Sequence, residues 1–209
     1  MNYTELKTNI EDICENTFTD EQLAMFTQQA EQKIYNTVQI PALRRNVTGT
    51  LSGDNKYLST PSDFLWSYSL AVIDASGVYH FLLNKDVNFM REAYPNPTVT
   101  GLPKHYAYFD DDTFIVGPTP DSSYGSELHY GYYPQSIVTA GTTWLGDEFD
   151  SALLNGALIE AIRFMKGEPD IVAMYEKLYL QSVTLLKGLG DGKLREDAYR
   201  SGQFRVPVS

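Results

Sequence analysis

Residues 150–190 read DSALLNGALIEAIRFMKGEPDIVAMYEKLYLQSVTLLKGLG. Leu154, Leu158, Ala161 and Met165 recur at helical spacing, with Leu153 and Ala157 beside them, so one face of a helix is apolar. Asp150 precedes the apolar run and is expected to cap it. Lys166-Gly167-Glu168-Pro169 interrupts the pattern. Gly167 is expected to take the left-handed conformation that ends a helix, and Pro169 pre-sets the first turn of the next, where its missing N–H costs nothing. The second helix carries Ile171, Tyr175, Leu178 and Leu185 on one stripe and Val172, Tyr179 and Leu186 on a neighbouring one. Gly188 and Gly190 are expected to stop it. So short a connection implies antiparallel packing. Neither helix buries its stripe alone, so the hairpin needs a partner.

The N-terminal residues supply one. Tyr3, Leu6, Ile10 and Ile13 are spaced for one face of a short helix over residues 3–14, which Asn16-Thr17 breaks. Thr19 followed by Gln22 is a capping-box signature. Leu23, Phe26, Ala30, Ile34 and Val38 then follow at helical spacing up to Pro41. The economical solution packs the two hairpins together and makes everything between them an insertion.

That insertion differs in character. It holds most of the prolines, and ten of the fifteen tyrosines lie between Tyr57 and Tyr133. Short β-type runs alternate with turn signals. Strands are expected near Val47–Leu51, Lys56–Ser59, Ser67–Ile73, Val78–Leu83, His105–Phe109, Thr113–Val116 and Glu127–Tyr133. Asp74-Ala75-Ser76-Gly77 and Asp110-Asp111-Asp112 are expected hairpin turns, and Lys85–Tyr94 a short helix stopped by Pro95. The expected class is therefore α+β. Residues 1–41 and 141–190 form a four-helix bundle, residues 42–140 an inserted antiparallel β-barrel or sandwich, and residues 191–209 an extended C-terminal arm. The arm sets four basic residues against three acidic ones, leaving it at +1 and the rest of the chain at −12.

The overall charge of −11 argues against a protein that grips nucleic acid by its phosphates, which needs a Lys/Arg surface. It leaves room for a surface past which DNA slides without sticking. No apolar run approaches the ~18 residues of a membrane span, and the N-terminal residues lack a signal-peptide pattern. The single cysteine, Cys14, excludes an internal disulfide and is expected as a small buried hydrophobe.

No catalytic constellation stands out. His80, His105 and His129 each fall in an expected strand with no second ligand at metal-binding spacing, so strand histidines half facing solvent are the better account. The aspartate run lacks the spacing of a calcium loop. Gly188-Leu189-Gly190-Asp191-Gly192 follows a helix instead of preceding one, so it is expected as a C-cap and hinge and not as a phosphate cradle. Asp147, Glu148 and Asp150 are expected as helix-start acids. No metal, no cofactor and no enzymatic activity are expected.

Six motifs, in their order and spacing, carry a resemblance. They are Ala30-Glu31-Gln32-Lys33-Ile34-Tyr35, Thr60-Pro61-Ser62-Asp63-Phe64-Leu65, Gly101-Leu102-Pro103-Lys104-His105-Tyr106, Gly117-Pro118-Thr119-Pro120, Tyr130-Gly131-Tyr132-Tyr133 and Thr142-Thr143-Trp144-Leu145. Over about residues 20–190 the chain resembles the phage head-to-tail adaptor (connector) proteins. One departure is Ser59-Thr60-Pro61, where the family has Leu-Pro. The resemblance implies a structural virion protein of the neck, a homo-oligomeric ring, commonly dodecameric, docked under the portal protein. It implies a tail nozzle or tail-tube partner on the other side, and DNA passing through the lumen during ejection without specific binding. The helices would face the portal and the β-region the tail.

The arm lies outside the matched motifs. Tyr199, Arg200, Phe204, Arg205, Val206 and Pro207 are its candidate portal-binding residues, because an aromatic beside an arginine is common anchor composition at interfaces. A second reading of the tyrosine-rich β-region is a tail-associated receptor- or glycan-binding module. A wall-degrading hydrolase would need two opposed carboxylates in a groove, and no such pair is evident.

Overall fold

A computed structural model of the chain describes residues 1–194, with side chains through Gly190. In chain order the first elements are α1 (Tyr3–Cys14), α2 (Asp20–Thr37), β1 (Arg44–Leu51), β2 (Tyr57–Ser59), β3 (Phe64–Ile73), β4 (Tyr79–Phe81) and β5 (Leu83–Asn84). They are followed by α3 (Val87–Ala93), β6 (His105–Asp110), β7 (Thr113–Gly117), β8 (Tyr124–Tyr132), α4 (Ile137–Ala140), α5 (Trp144–Glu148), α6 (Asp150–Phe164) and α7 (Pro169–Leu194). The class is α+β. Two compact units result: Met1–Leu43 together with the described residues from Pro134 to Leu194, and Arg44–Tyr133.

In the helical unit, local sequence sets the starts of α1 and α2. The Asn2 side chain accepts from the Glu5 N–H and the Glu5 carboxylate accepts from the Asn2 N–H, both at 2.9 Å, a capping box that opens α1. Thr19 and Gln22 do the same for α2. Asp150, in contrast, is not the cap of α6. Phe149 holds that position with no side-chain cap, because it also closes α5. Asp147 and Asp150 fall in the first turns of α5 and α6, where the helix dipole favours their charge, while Glu148 ends α5.

α6 is the centre of this unit. Ala152, Leu153, Gly156, Ala157, Leu158, Ile159, Ala161 and Ile162 are all buried, which covers most of its circumference. It packs on α1, α2, α5 and α7. Each buried leucine or isoleucine contributes about 1.5–3 kcal/mol relative to exposure.

The break between α6 and α7 departs from expectation. Lys166, not Gly167, takes the left-handed conformation, with φ of 58°. Gly167 is needed for close approach: a Cβ there would lie 2.5 Å from Ile162 Cγ2. Nor do the glycines end α7, which continues through Gly188, Gly190 and Gly192 to Leu194. The expected C-cap and hinge is therefore helix, and the first four residues of the expected arm belong to it. Tertiary contact outweighs propensity here. A Cβ on Gly190 would lie 2.6 Å from Ile40 Cγ2 and 2.7 Å from the Gln39 carbonyl oxygen, so glycine lets the end of α7 sit directly on the chain leaving α2.

The second unit holds two four-stranded sheets, β1-β8-β3-β4 and β2-β7-β6-β5. They do not close into a barrel. Both contribute to one core, with Leu51, Leu70, Val72 and Leu128 from the first and Tyr106, Phe114 and Val116 from the second. Met90 on α3 packs with Ala107 and Ile115 of the second sheet. β1 runs antiparallel to β8 from Arg44 opposite Gly131 to Leu51 opposite Tyr124, so the strands that enter and leave this unit lie side by side. The pairing is antiparallel except between β5 and β6, which are parallel. The run expected as one strand over Val78–Leu83 serves both sheets. Its first half pairs with β3 and the Leu82 N–H donates to the Leu70 carbonyl; the Leu83 N–H then donates to Lys104.

Candidate interaction surfaces

Burial separates the two apolar stripes of α7. Val172, Tyr179 and Leu186 turn inward with Tyr175 and Val183, against the core around α6. Ile171, Met174, Leu178 and Leu185 turn outward and are 42%, 50%, 40% and 73% exposed. The sequence shows both stripes but not which one is the intramolecular core. Tyr175 crosses over, grouped with the outer stripe by spacing but packed against the core. Gln181 lies among the outward side chains and is exposed. Ile171, Met174, Leu178, Gln181 and Leu185 are spaced alternately three and four residues apart, the spacing of a helix–helix seam. Exposed apolar side chains are ordinary singly; a continuous row along one helix marks a contact surface.

The second unit has its own outward row. Tyr79, Phe81 and Leu83 alternate along the edge run of β4 and β5 and are all exposed, while Leu82 is buried and His80 half-buried.

The motifs that carry the resemblance are links within each unit. Glu31, 3% exposed, accepts from the Ile137 N–H at 2.8 Å and so fastens the start of α4 to α2. Burial pushes its carboxyl above the ordinary range, against the Ile137 and Ser136 hydrogen bonds, which pull it down. Asp63 accepts from the Tyr130 hydroxyl at 2.9 Å and from Arg45 at 2.5 Å, while the Arg45 guanidinium lies over the Tyr132 ring. Burial, then Asp63, raise the Tyr130 hydroxyl. Gly131 leaves room for Trp66, whose indole would lie 2.3 Å from a Cβ there, and Gly117 does the same for the Tyr94 ring. Thr143 caps α5, and Trp144 packs near Tyr35 and Phe149.

The three histidines have local partners. His80 Nε2 lies 2.9 Å from Asp74 Oδ2, and Asp74 is held below the usual carboxylate range chiefly by that contact. His105 Nδ1 lies 2.7 Å from the Tyr94 hydroxyl, and burial with Lys85 and Lys104 nearby lowers its pKa. His129 packs on Tyr68. Among the described residues no group of three or more His, Cys, Asp or Glu side chains is gathered as a metal site requires. Among them, too, no helix is long and apolar enough to cross a membrane. Asp110–Asp112 form the β6–β7 turn, where the Asp112 N–H donates to Asp110. The expected arm contacts at Tyr199, Arg200, Phe204, Arg205, Val206 and Pro207 lie outside the described residues.

A family model described as SU10 adaptor protein matches residues 1–207. The chain belongs to the SU10 adaptor protein family. The resemblance to phage head-to-tail adaptors therefore holds, and over more of the chain than the six motifs cover. An adaptor of this family is a phage structural protein, which accords with motifs that hold the fold together. A comparison with curated proteins gives no match.

Proposed function

We propose that this adaptor assembles as a ring, one subunit per portal subunit and commonly dodecameric, docked beneath the portal and joining the capsid to the tail. The two compact units act as separate domains. The helical unit works as a bundle that faces the portal and packs against its neighbours, and the β-rich unit faces the nozzle or tail tube. The observation that carries this reading is the outward row on α7, an apolar surface without a partner among the described residues, in a chain whose family is that of adaptors. The charge of −11 supports a lumen wall that repels DNA and lets the genome pass without binding.

The C-terminal arm contacts the portal through Tyr199, Arg200, Phe204, Arg205, Val206 and Pro207. Because Gly190 seats α7 on Ile40 and Gln39, a truncation that tests the arm should begin after Leu194. The deciding experiment mixes the protein with portal rings of the same phage and weighs the product by native mass spectrometry. A discrete increment of one subunit per portal subunit is expected. Removal of residues 195–209 should leave the circular dichroism spectrum and melting unchanged and weaken docking. Absence of any complex with intact portal rings overturns the ring reading; unchanged docking of the truncated chain overturns the role of the arm.

A further inference from the structure

A closed ring requires each subunit to present two different surfaces, one to each neighbour. A face that pairs with its own copy about a two-fold axis closes a dimer and leaves nothing to propagate. Resting on the ring reading above, we infer that the outward row of α7 docks onto the outer face of α2 in the adjacent copy.

The outer face of α2 carries Met25, Gln28, Gln29 and Gln32, all exposed. From Gln22 to Gln32 this helix exposes no charged side chain, because its one acid there, Glu31, is turned into the core. Exposed Glu21 and Lys33 bound this neutral stretch. The α7 row of Ile171, Met174, Leu178, Gln181 and Leu185 is also free of charge. The cores of protein interfaces are depleted in charge and enriched in methionine, since an unpaired charge is costly to strip of water while an amide finds partners. Gln181, mid-row on α7, supplies such a partner for the α2 glutamines.

The remaining helices fit less well. α1 lines its outward side with exposed Glu5 and Asp12, and α6 is buried over most of its circumference, so neither offers a second uncharged face. Position also favours the pairing. Ala30 of α2 and Tyr179 of α7 both rest on α6 at Gly156, so each helix is held by its inner side and keeps a separate outward face.

Cysteine pairing tests this on the full chain assembled on portal rings, in a Cys14→Ser background. Met25, Gln28, Gln29 and Gln32 are each changed to Cys and combined in turn with Met174→Cys, Leu178→Cys or Leu185→Cys, which spans the possible registers. Every site is exposed, and each variant is first checked for an unchanged melting temperature. Mild oxidation should convert at least one double variant into a covalent ladder extending past the dimer, while the single variants stay monomeric. A covalent dimer from Leu178→Cys alone overturns the inference in favour of self-pairing of α7. Rings that form on the portal with no ladder from any pair overturn it and leave the ring reading standing. Failure of the parent protein to form rings overturns both.

Discussion

α6 and α7 are consecutive helices of similar apolar content placed in opposite circumstances. α6 is buried on nearly every side and touches four other helices. α7 buries one stripe and exposes another, with Leu185 more open to solvent than many polar residues. An apolar helix is thus not by itself a core helix. The core claims as much surface as the packing geometry reaches, and what is left over is available to another chain.

The sharpest way to break the comparison is to shorten one leucine on each helix. Leu158→Ala in α6 should destabilise the isolated protein by about 2–5 kcal/mol, the usual cost of a cavity in a packed core. Leu185→Ala in α7 should cost about 0.5 kcal/mol or less, as an exposed position does. Chemical denaturation of the monomer measures both. Equal losses would mean that the outer row of α7 is already packed within the subunit.

The glycines near the end of α7 give a smaller test with opposite signs. A Cβ on Gly188 meets nothing, so Gly188→Ala should stabilise the protein by about 0.5–1 kcal/mol through helix propensity alone. A Cβ on Gly190 would strike Ile40 and the Gln39 carbonyl, so Gly190→Ala should cost about 1–3 kcal/mol. Melting curves of the two variants would settle whether the helix runs through both. Were Gly188 a C-cap, its substitution would destabilise instead.

These glycines mark where sequence reasoning ran out. The start of α2, the β6–β7 turn and the short α3 were legible because each depends on a few neighbouring residues: a capping box, an aspartate run, a stop at Pro95; α1 was legible from its apolar spacing, without the box at Asn2 and Glu5. The stop at Gly188 and Gly190 was misjudged because glycine's weak local preference yielded to helix continuation and, at Gly190, to a close approach to Ile40 and Gln39, residues far away in the chain. The role of Gly167 was misassigned for a similar reason: glycine signals either a positive φ or a close approach, and only packing tells them apart. The split of Val78–Leu83 between two sheets was illegible because alternation shows that a strand has two faces and not which strands pair along its edges. Likewise the two stripes of α7 were plain, but the choice of which one meets α6 depends on the crossing of the helices. The candidate arm residues remain a reading of composition.

The buried side of the comparison also contains a carboxyl, and it gives the smallest and most specific prediction. Glu31 lies in the core that α6 organises, and burial raises its pKa despite the hydrogen bond from Ile137. In the unfolded chain it titrates in the ordinary carboxylate range. Between that range and its folded value, the folded state holds more protons than the unfolded one, so this group's contribution to stability falls as pH rises. Below both values it contributes no slope, and above both the loss is complete. Glu31→Gln keeps an oxygen that accepts from Ile137 but removes the titration, and the remaining carboxylates cancel in a comparison of the two proteins. The stability of Glu31→Gln relative to the natural chain should therefore climb from the ordinary carboxylate range upward and then level off. Denaturation series across acidic to neutral pH measure that difference. A difference independent of pH would mean that the hydrogen bonds from Ile137 and Ser136 offset the burial of Glu31 in full.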